Sequence, residues 1–231
     1  MRTDERGETV AIPVGAVKLV GELVIPSDPR GLVLFAHGSG SGRRSPRNRF
    51  VAEELRLRGL GTLLFDLLTA GEEKRDAIDA QLRFDIPLLA KRLGGATDWV
   101  KQNEATAALT IGYFGASTGA AAALIAAARH PDEIAAVVSR GGRPDLAEGL
   151  LQRVRAPTLL IVGGADTTVL ALNQRALKDI AAPKELAVVP DATHLFEQPG
   201  ALEEVARLAA EWFARYFEGH PSQARAEPSN T

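Results

Sequence analysis

Residues Thr110 to His130 read TIGYFGASTGAAAALIAAARH, and how they are interpreted decides the fold. The apolar run from Leu109 to Phe114 predicts a strand, and the alanine-rich run ending near His130-Pro131 predicts a helix. Between them Gly115-Ala116-Ser117-Thr118-Gly119 fits G-x-S-x-G, a one-step turn that strains the backbone at its serine. Small residues two positions to either side let neighbouring segments pass closely. The Ser117 hydroxyl is then expected to stand clear of the sheet at a helix N-terminus, where free N–H groups and the helix dipole stabilise negative charge. The structural alternative is a glycine turn with a capping serine.

The flanking chain alternates strands and helices. Val10–Pro13 and Val17–Pro26 predict a hairpin around Gly15, and the continuously apolar Leu32–Ala36 predicts a strand buried on both faces of a parallel sheet. Ser45-Pro46 starts a helix that stops at Gly59, and "LGTLLFDLL" follows as a strand. Asp85 and Pro87 open a helix with Leu89, Leu93, Ala96 and Val100 on one face, weakened by Gly94-Gly95. Glu72 and Glu73 fall in the loop between, solvated by default although close enough in sequence to approach the site. Beyond His130 come the strand Ile134–Val138, a short helix Pro144–Val154, the strand Thr158–Val162, a helix from Thr167 or Thr168 to Ile180, the strand Leu186–Val189 and a helix Pro199–Phe217. Short links between alternating strands and helices predict an open parallel α/β sheet.

Bulk composition narrows the function classes. With 27 Lys+Arg against 29 Asp+Glu the net charge is −2, which gives no reason to expect a nucleic acid or an anionic membrane as partner. The chain has no cysteine, which excludes disulfides, thiolate metal sites and a cysteine nucleophile. MRTDERGETV at the start is charged and lacks the apolar centre of a signal peptide, and no apolar run approaches the ~18 residues of a membrane span. The expectation is a cytoplasmic protein with one domain through residue 219 and a mobile polar tail from His220 to Thr231. Oligomeric state is not legible.

In open α/β sheets reactive groups gather at the carboxyl ends of strands. Those ends carry His37-Gly38-Ser39, Asp66, Ser117, Arg140, Asp166 and His194. A serine hydroxyl is a weak nucleophile unless a base takes its proton, and the base needs an orienting carboxylate. Of the four histidines, His130 closes a helix, His220 lies in the tail and His37 precedes a glycine turn that it would shape. His194, in the loop between the last strand and last helix, remains as the base. Asp166 ends the strand "LLIVGGAD" and is favoured as the acid over Asp191, which stands where it would satisfy local turn N–H groups. The order Ser117, Asp166, His194 is that of the α/β hydrolases. Backbone N–H groups of Thr118 and Ser39 are the candidates for an oxyanion hole.

The segments "VLFAHGSGSG", "IGYFGASTGAAAAL", "SRGGRPDLA", "APTLLIVGGADTTVLALNQRAL" and "VVPDATHLFEQPGALEEVARLAAEWF" together resemble the α/β-hydrolase fold, and within it the dienelactone hydrolase-like branch, over roughly Leu32 to Phe217. The resemblance implies a mostly parallel eight-stranded sheet with helices on both faces, Ser117 as nucleophile with Asp166 and His194 as partners, and no cofactor. It departs at one position: dienelactone hydrolases proper use a cysteine where this chain has Ser117. That leaves acyl transfer intact without carrying over the dienelactone substrate.

The resulting expectation is a carboxylesterase-type serine hydrolase acting on small ester or lactone substrates. About 20 residues separate Val138 from Thr158, too few for a separate lid domain. Arg140 and Arg143 lie on that link, placed to receive a substrate carboxylate or else to pair with a neighbouring acid. Thioester or acyl-peptide hydrolysis would use the same residues, and a catalytically silent binding module would use the same fold. A dinucleotide site at Gly38-Ser39-Gly40-Ser41-Gly42 with Asp66 is disfavoured because Arg43 stands where G-x-G-x-x-G needs glycine, and no P-loop sequence is present.

Overall fold

The computed structural model describes residues 7–147 and 149–218, so the expected tail at 220–231 lies outside the described residues. β1 (Glu8–Val14) and β2 (Val17–Val24) form an antiparallel hairpin turned by Gly15 at φ +59°. There follow β3 (Leu32–Ala36), α1 (Pro46–Arg56), β4 (Gly61–Phe65), α2 (Ala70–Asp79) and α3 (Ile86–Gln102). Next come β5 (Ile111–Ala116), α4 (Thr118–Arg129) and β6 (Ile134–Arg140), then β7 (Thr158–Gly163), α5 (Thr167–Asp179), β8 (Lys184–Val189) and α6 (Ala201–Phe217). The eight strands pair in the order β1-β2-β4-β3-β5-β6-β7-β8. Pairing is antiparallel from β1 through β2 to β4 and parallel from β4 to β8, the mostly parallel sheet expected from the sequence.

Burial explains the continuous apolar runs. Every residue of β3 is buried, and successive side chains enter opposite cores: Leu32, Leu34 and Ala36 one, Val33 and Phe35 the other. The first core is closed by α3 and α4, the second by α1 and α6. Full burial of side chains of this size stabilises by roughly 1.5–3 kcal/mol each. Gly112 lets α6 lie close to the sheet, because a Cβ there would stand 2.7 Å from a Phe213 ring carbon.

The chain order reverses between β3 and β5. From β3 it runs to β4 on one side, then crosses back to β5 and continues to β8 on the other. Loops leaving β3 and β5 therefore part company at the carboxyl edge and leave a crevice.

Two local expectations are corrected. Glu72 and Glu73 are not in a loop but in the first turn of α2. Thr69 Oγ1 accepts from the Glu72 N–H and the Glu72 carboxylate accepts from the Thr69 N–H, a capping box that the Thr69-x-x-Glu72 spacing announces. Pro144–Val154 forms two short 3-10 turns, at Pro144–Ala147 and Leu151–Arg153, rather than one helix. Helix α3 runs uninterrupted through Gly94-Gly95 because those positions serve close packing: a Cβ on Gly95 would lie 2.4 Å from Val14. Among the described residues no helix is long and apolar enough to cross a membrane.

Tyr113 is fully buried, and its hydroxyl lies 2.6 Å from Thr97 Oγ1, which itself donates to the Leu93 carbonyl. Tyr113→Phe is expected to lower stability by about 0.5–1.5 kcal/mol through this one hydrogen bond. Phe213→Ala, which empties the seat over Gly112, is expected to cost about 3–5 kcal/mol. Urea unfolding of the two variants side by side checks the ranking.

Candidate active site

Ser117 joins β5 directly to α4 with φ +51° and ψ −121°, a conformation that costs a non-glycine residue on the order of 1–3 kcal/mol. Backbone hydrogen bonds hold it there. The Ser117 N–H donates to the Arg140 carbonyl at 3.1 Å, and the Ser117 carbonyl accepts from the N–H groups of Ala120 and Arg143, each at 3.1 Å. Neighbouring glycines make room for so tight a turn. A Cβ on Gly115 would stand 2.4 Å from Ala120 Cα, and one on Gly119 would stand 2.2 Å from the Ala36 carbonyl oxygen.

The loops after β7 and β8 bring a carboxylate and an imidazole together. The Ala165 N–H donates to the Ala192 carbonyl, and Gly163 packs so closely on Ala192 that a Cβ would lie 2.2 Å from its oxygen. His194 Nδ1 is 2.7 Å from Asp166 Oδ2. A carboxylate oxygen accepts, so Nδ1 is the donor of this pair and Nε2 is the ring nitrogen left for another partner. Asp166 also caps α5, Oδ1 accepting from the Val169 N–H at 3.4 Å. One carboxylate thus fixes both the helix start and the imidazole. Asp191 sits exposed in a turn at φ +56° and takes no part in this pair.

The β3–α1 loop forms the facing wall. His37 is buried, its Nε2 accepts from the Leu67 N–H at 3.0 Å, and Nδ1–H donates to the Gly38 carbonyl at 3.0 Å. Burial pushes its pKa below the usual histidine value, against the opposing pull of the Gly38 bond and Asp66. Asp66 accepts from the Arg43 N–H at 2.7 Å and pairs with the Arg43 guanidinium, so this strand-end carboxylate braces the glycine loop. The Ser39 N–H donates to Thr118 Oγ1 at 2.9 Å, which ties the loop to the first residue of α4.

Ser117, His194, Arg140, Arg47 and Asn48 line one pocket of about 230 Å³. A second cavity of about 280 Å³ shares the Gly38–Ser41 loop and is lined further by Glu73, Asp76 and Arg83. Burial, and the neighbouring Asp66, raise the Glu73 carboxyl above its ordinary pKa. Glu72 turns instead to Arg92, 2.7 Å away. The two arginines of the β6 link part ways. Arg143 makes a two-pronged pair with Asp145 at 2.8 and 2.7 Å and does not line the Ser117 pocket, whereas Arg140 does. Arg47 and Asn48 escaped sequence reasoning. Their signal was Ser45-Pro46, which starts α1 immediately after the glycine loop and so points its first turn at the carboxyl edge.

Among the described residues one set could ligate a metal, Asp98, His130 and Glu133, with ligand atoms within 4.8 Å of one another. It stands at the far end of α4 from Ser117, and Lys101 Nζ, 3.3 Å from Glu133 Oε2, already supplies a counter-charge.

Known proteins share this arrangement of elements. The profile of the dienelactone hydrolase family matches residues 45–218. A structure of a dienelactone hydrolase from Anabaena variabilis is 58% identical, with a TM-score of 0.92 over 93% of this chain and 99% of that one. Est1E from Butyrivibrio proteoclasticus is 17% identical with a TM-score of 0.77 over 91% of this chain and 99% of that one, a likeness of fold alone. A Mycobacterium tuberculosis protein named "Putative phosphoribosyl transferase" is 56% identical over 214 residues, which are 93% of this chain and 47% of that protein. This chain therefore spans about half the length of the first curated relatives it matches.

Two measurements probe the site's construction. Gly119→Ala forces backbone against backbone and should cost about 2–3 kcal/mol, whereas Gly71→Ala, with open space around it in α2, should raise stability by up to about 1 kcal/mol; urea unfolding distinguishes them. For His37 the folded pKa lies below the unfolded value of 6.5, so its contribution is full above that pH and lost as pH falls beneath it. The urea midpoint of the wild type should therefore fall more between pH 7 and pH 5 than that of His37→Asn.

Proposed function

The chain belongs to the dienelactone hydrolase family of α/β hydrolases, and from that premise we propose that it is a serine hydrolase of the carboxylic-ester type, cleaving small ester or lactone substrates through an acyl-enzyme. One observation carries this reading: His194, paired with Asp166, and the strained Ser117, far apart in sequence, line a common pocket.

In the proposed reaction Ser117 Oγ attacks the ester carbonyl carbon while His194 Nε2 takes its proton. The carbonyl π electrons move to oxygen, and Asp166 stabilises the imidazolium through the bond to Nδ1–H. Collapse breaks the acyl C–O bond, His194 gives the proton to the leaving alkoxide, and water repeats the sequence to release the acid. The oxyanion is received by the Thr118 N–H, one of the unpartnered donors of the first turn of α4, and by the Ser39 N–H. Thr118 Oγ1 now takes the Ser39 donor, so the oxyanion replaces that hydroxyl as acceptor. Each such donor contributes about 2.7–4 kcal/mol to the transition state. The pocket and the cavity sharing the Gly38–Ser41 loop give room for the two halves of a small ester.

Thioester or acyl-peptide hydrolysis on the same residues, and a silent binding module, are the competing readings. The phosphoribosyl transfer in the name of the mycobacterial relative, of which this chain covers 47%, is not carried over to this chain. Support comes from the glycine loop, whose following strand-end acid, Asp66, is bound to Arg43 rather than held free for a ribose.

Ser117→Ala should lower kcat/KM for p-nitrophenyl acetate by about 10⁴-fold or more and abolish labelling by a fluorophosphonate. Undiminished turnover by the variant would sink the assignment, and a wild type that takes no label would favour the silent module. A series of esters, lactones and thioesters of graded length separates the remaining readings.

A further inference from the structure

The backbone from Gly141 to Arg143 runs between the proposed nucleophile and the proposed base. At one end the Arg143 N–H donates to the Ser117 carbonyl at 3.1 Å. At the other end Gly141 turns at φ +51° beside the imidazole, where a Cβ would stand 3.5 Å from His194 Cε1 and Nδ1. Gly142, between them, is tightly seated: a Cβ would collide with Ser139 Oγ and lie 2.7 Å from Ala120 Cβ. A shift of this link therefore moves Ser117 and His194 relative to one another.

Asn173 holds the link from behind. It is fully buried on α5, and its Nδ2 donates to the Gly142 carbonyl at 3.0 Å and to the Val169 carbonyl at 2.8 Å. Both amide hydrogens are thereby used. Oδ1 of the same amide is buried with no partner among the described residues, which costs the fold stability. The position keeps an amide for its N–H groups although its oxygen goes unpaired. The helix that carries Asn173 also carries the acid, since Asp166 caps α5 and lies 2.7 Å from His194 Nδ1. Asp166 and Asn173 are close to two helical turns apart, on one side of α5 and about 10 Å from each other along its axis. One helix thus grips the imidazole at its start and the glycine link further along.

We infer that Asn173 is a positioning residue for the reaction: by clamping the Gly142 carbonyl it sets the distance and angle between Ser117 and the His194 ring. The inference rests on the serine hydrolase reading and adds to it a residue that acts through the backbone rather than on the substrate. Two adjacent glycines, Gly141 and Gly142, have wide conformational freedom, so the link needs an external tether to keep one path. Proton transfer from a serine to an imidazole demands a heavy-atom separation of about 2.6–3.2 Å. A misplacement of about 1 Å, even from a change away from the chemistry, can cost about 10²-fold in rate. The tether therefore bears on the chemical step more than on substrate binding.

The test compares the wild type with Asn173→Leu, Asn173→Ala and a control, Tyr113→Phe, which loses a buried hydrogen bond to Thr97 on α3, away from the link. Asn173→Leu keeps the volume and removes the donors, and Asn173→Ala serves if leucine crowds the site or fails to fold. Kinetics with p-nitrophenyl acetate are read at a temperature where melting curves show the proteins folded. Each Asn173 variant should lose about 10- to 100-fold in kcat with KM within about threefold, and should take a fluorophosphonate label more slowly by a similar factor. Tyr113→Phe should keep its kcat, because lost stability alone does not slow a protein that is still folded. An unchanged kcat in a folded Asn173 variant, or a loss carried by KM, overturns the inference and leaves the hydrolase reading intact. A wild type with neither turnover nor label overturns both.

Discussion

A single backbone turn governs this molecule. Ser117 holds a positive φ that no local preference favours, and the cost is met by tertiary contacts: the carbonyl of Arg140, the N–H of Arg143, and two glycines shaved close enough for α4 to start against β3 and β5. Strain of this kind persists only where the surroundings over-determine it. Here they are the central strands, buried on both faces, at the point where the order of the sheet reverses. A strained conformation is therefore seated among strands buried on both faces.

Around that turn, each group near the pocket also performs a structural task. Asp166 caps α5 while it orients His194. His37 bridges the Leu67 N–H and the Gly38 carbonyl and so fixes the glycine loop. Asp66 ties the same loop down through Arg43, and Thr118 ties it to α4 through Ser39. This sharing pre-organises a site cheaply, because the entropy of ordering each loop is offset once for both purposes. It also means that a change at any of these residues moves stability and geometry together. Arg140 stands apart, its backbone bonded to Ser117 and its guanidinium near the Phe196 ring, while its Nε and Nη1 have no hydrogen-bond partner among the described residues.

Much of the site was legible because the hydrolase signal is partly local. G-x-S-x-G between an apolar run and an alanine-rich run announces a strand, a turn and a helix, and the structure has them, shifted by two residues in β5. Asp166 and His194 follow from strand ends and from elimination among few histidines. Helix α2 was missed although its Thr69–Glu72 capping box was present, since a short polar helix has no apolar stripe to announce it. The Gly94-Gly95 pair read as a weakness and proved to be a packing surface for Val14 and His130, a fact that depends on what lies opposite.

By itself the sequence determined the succession of strands and helices, the buried character of β3 and β5, and the residue types at the strand ends, because periodicity and turn chemistry act over a few residues. The tertiary structure decided which of those residues meet. It gave Asp166 rather than Asp191 to His194, placed Thr118 Oγ1 before the Ser39 N–H, and sent Arg143 to Asp145 while leaving Arg140 beside the pocket. The reason is direction. Hydrogen bonds and ion pairs depend on ångström distances between groups tens of residues apart, and no pattern along a chain encodes where a side chain points once the loops have closed.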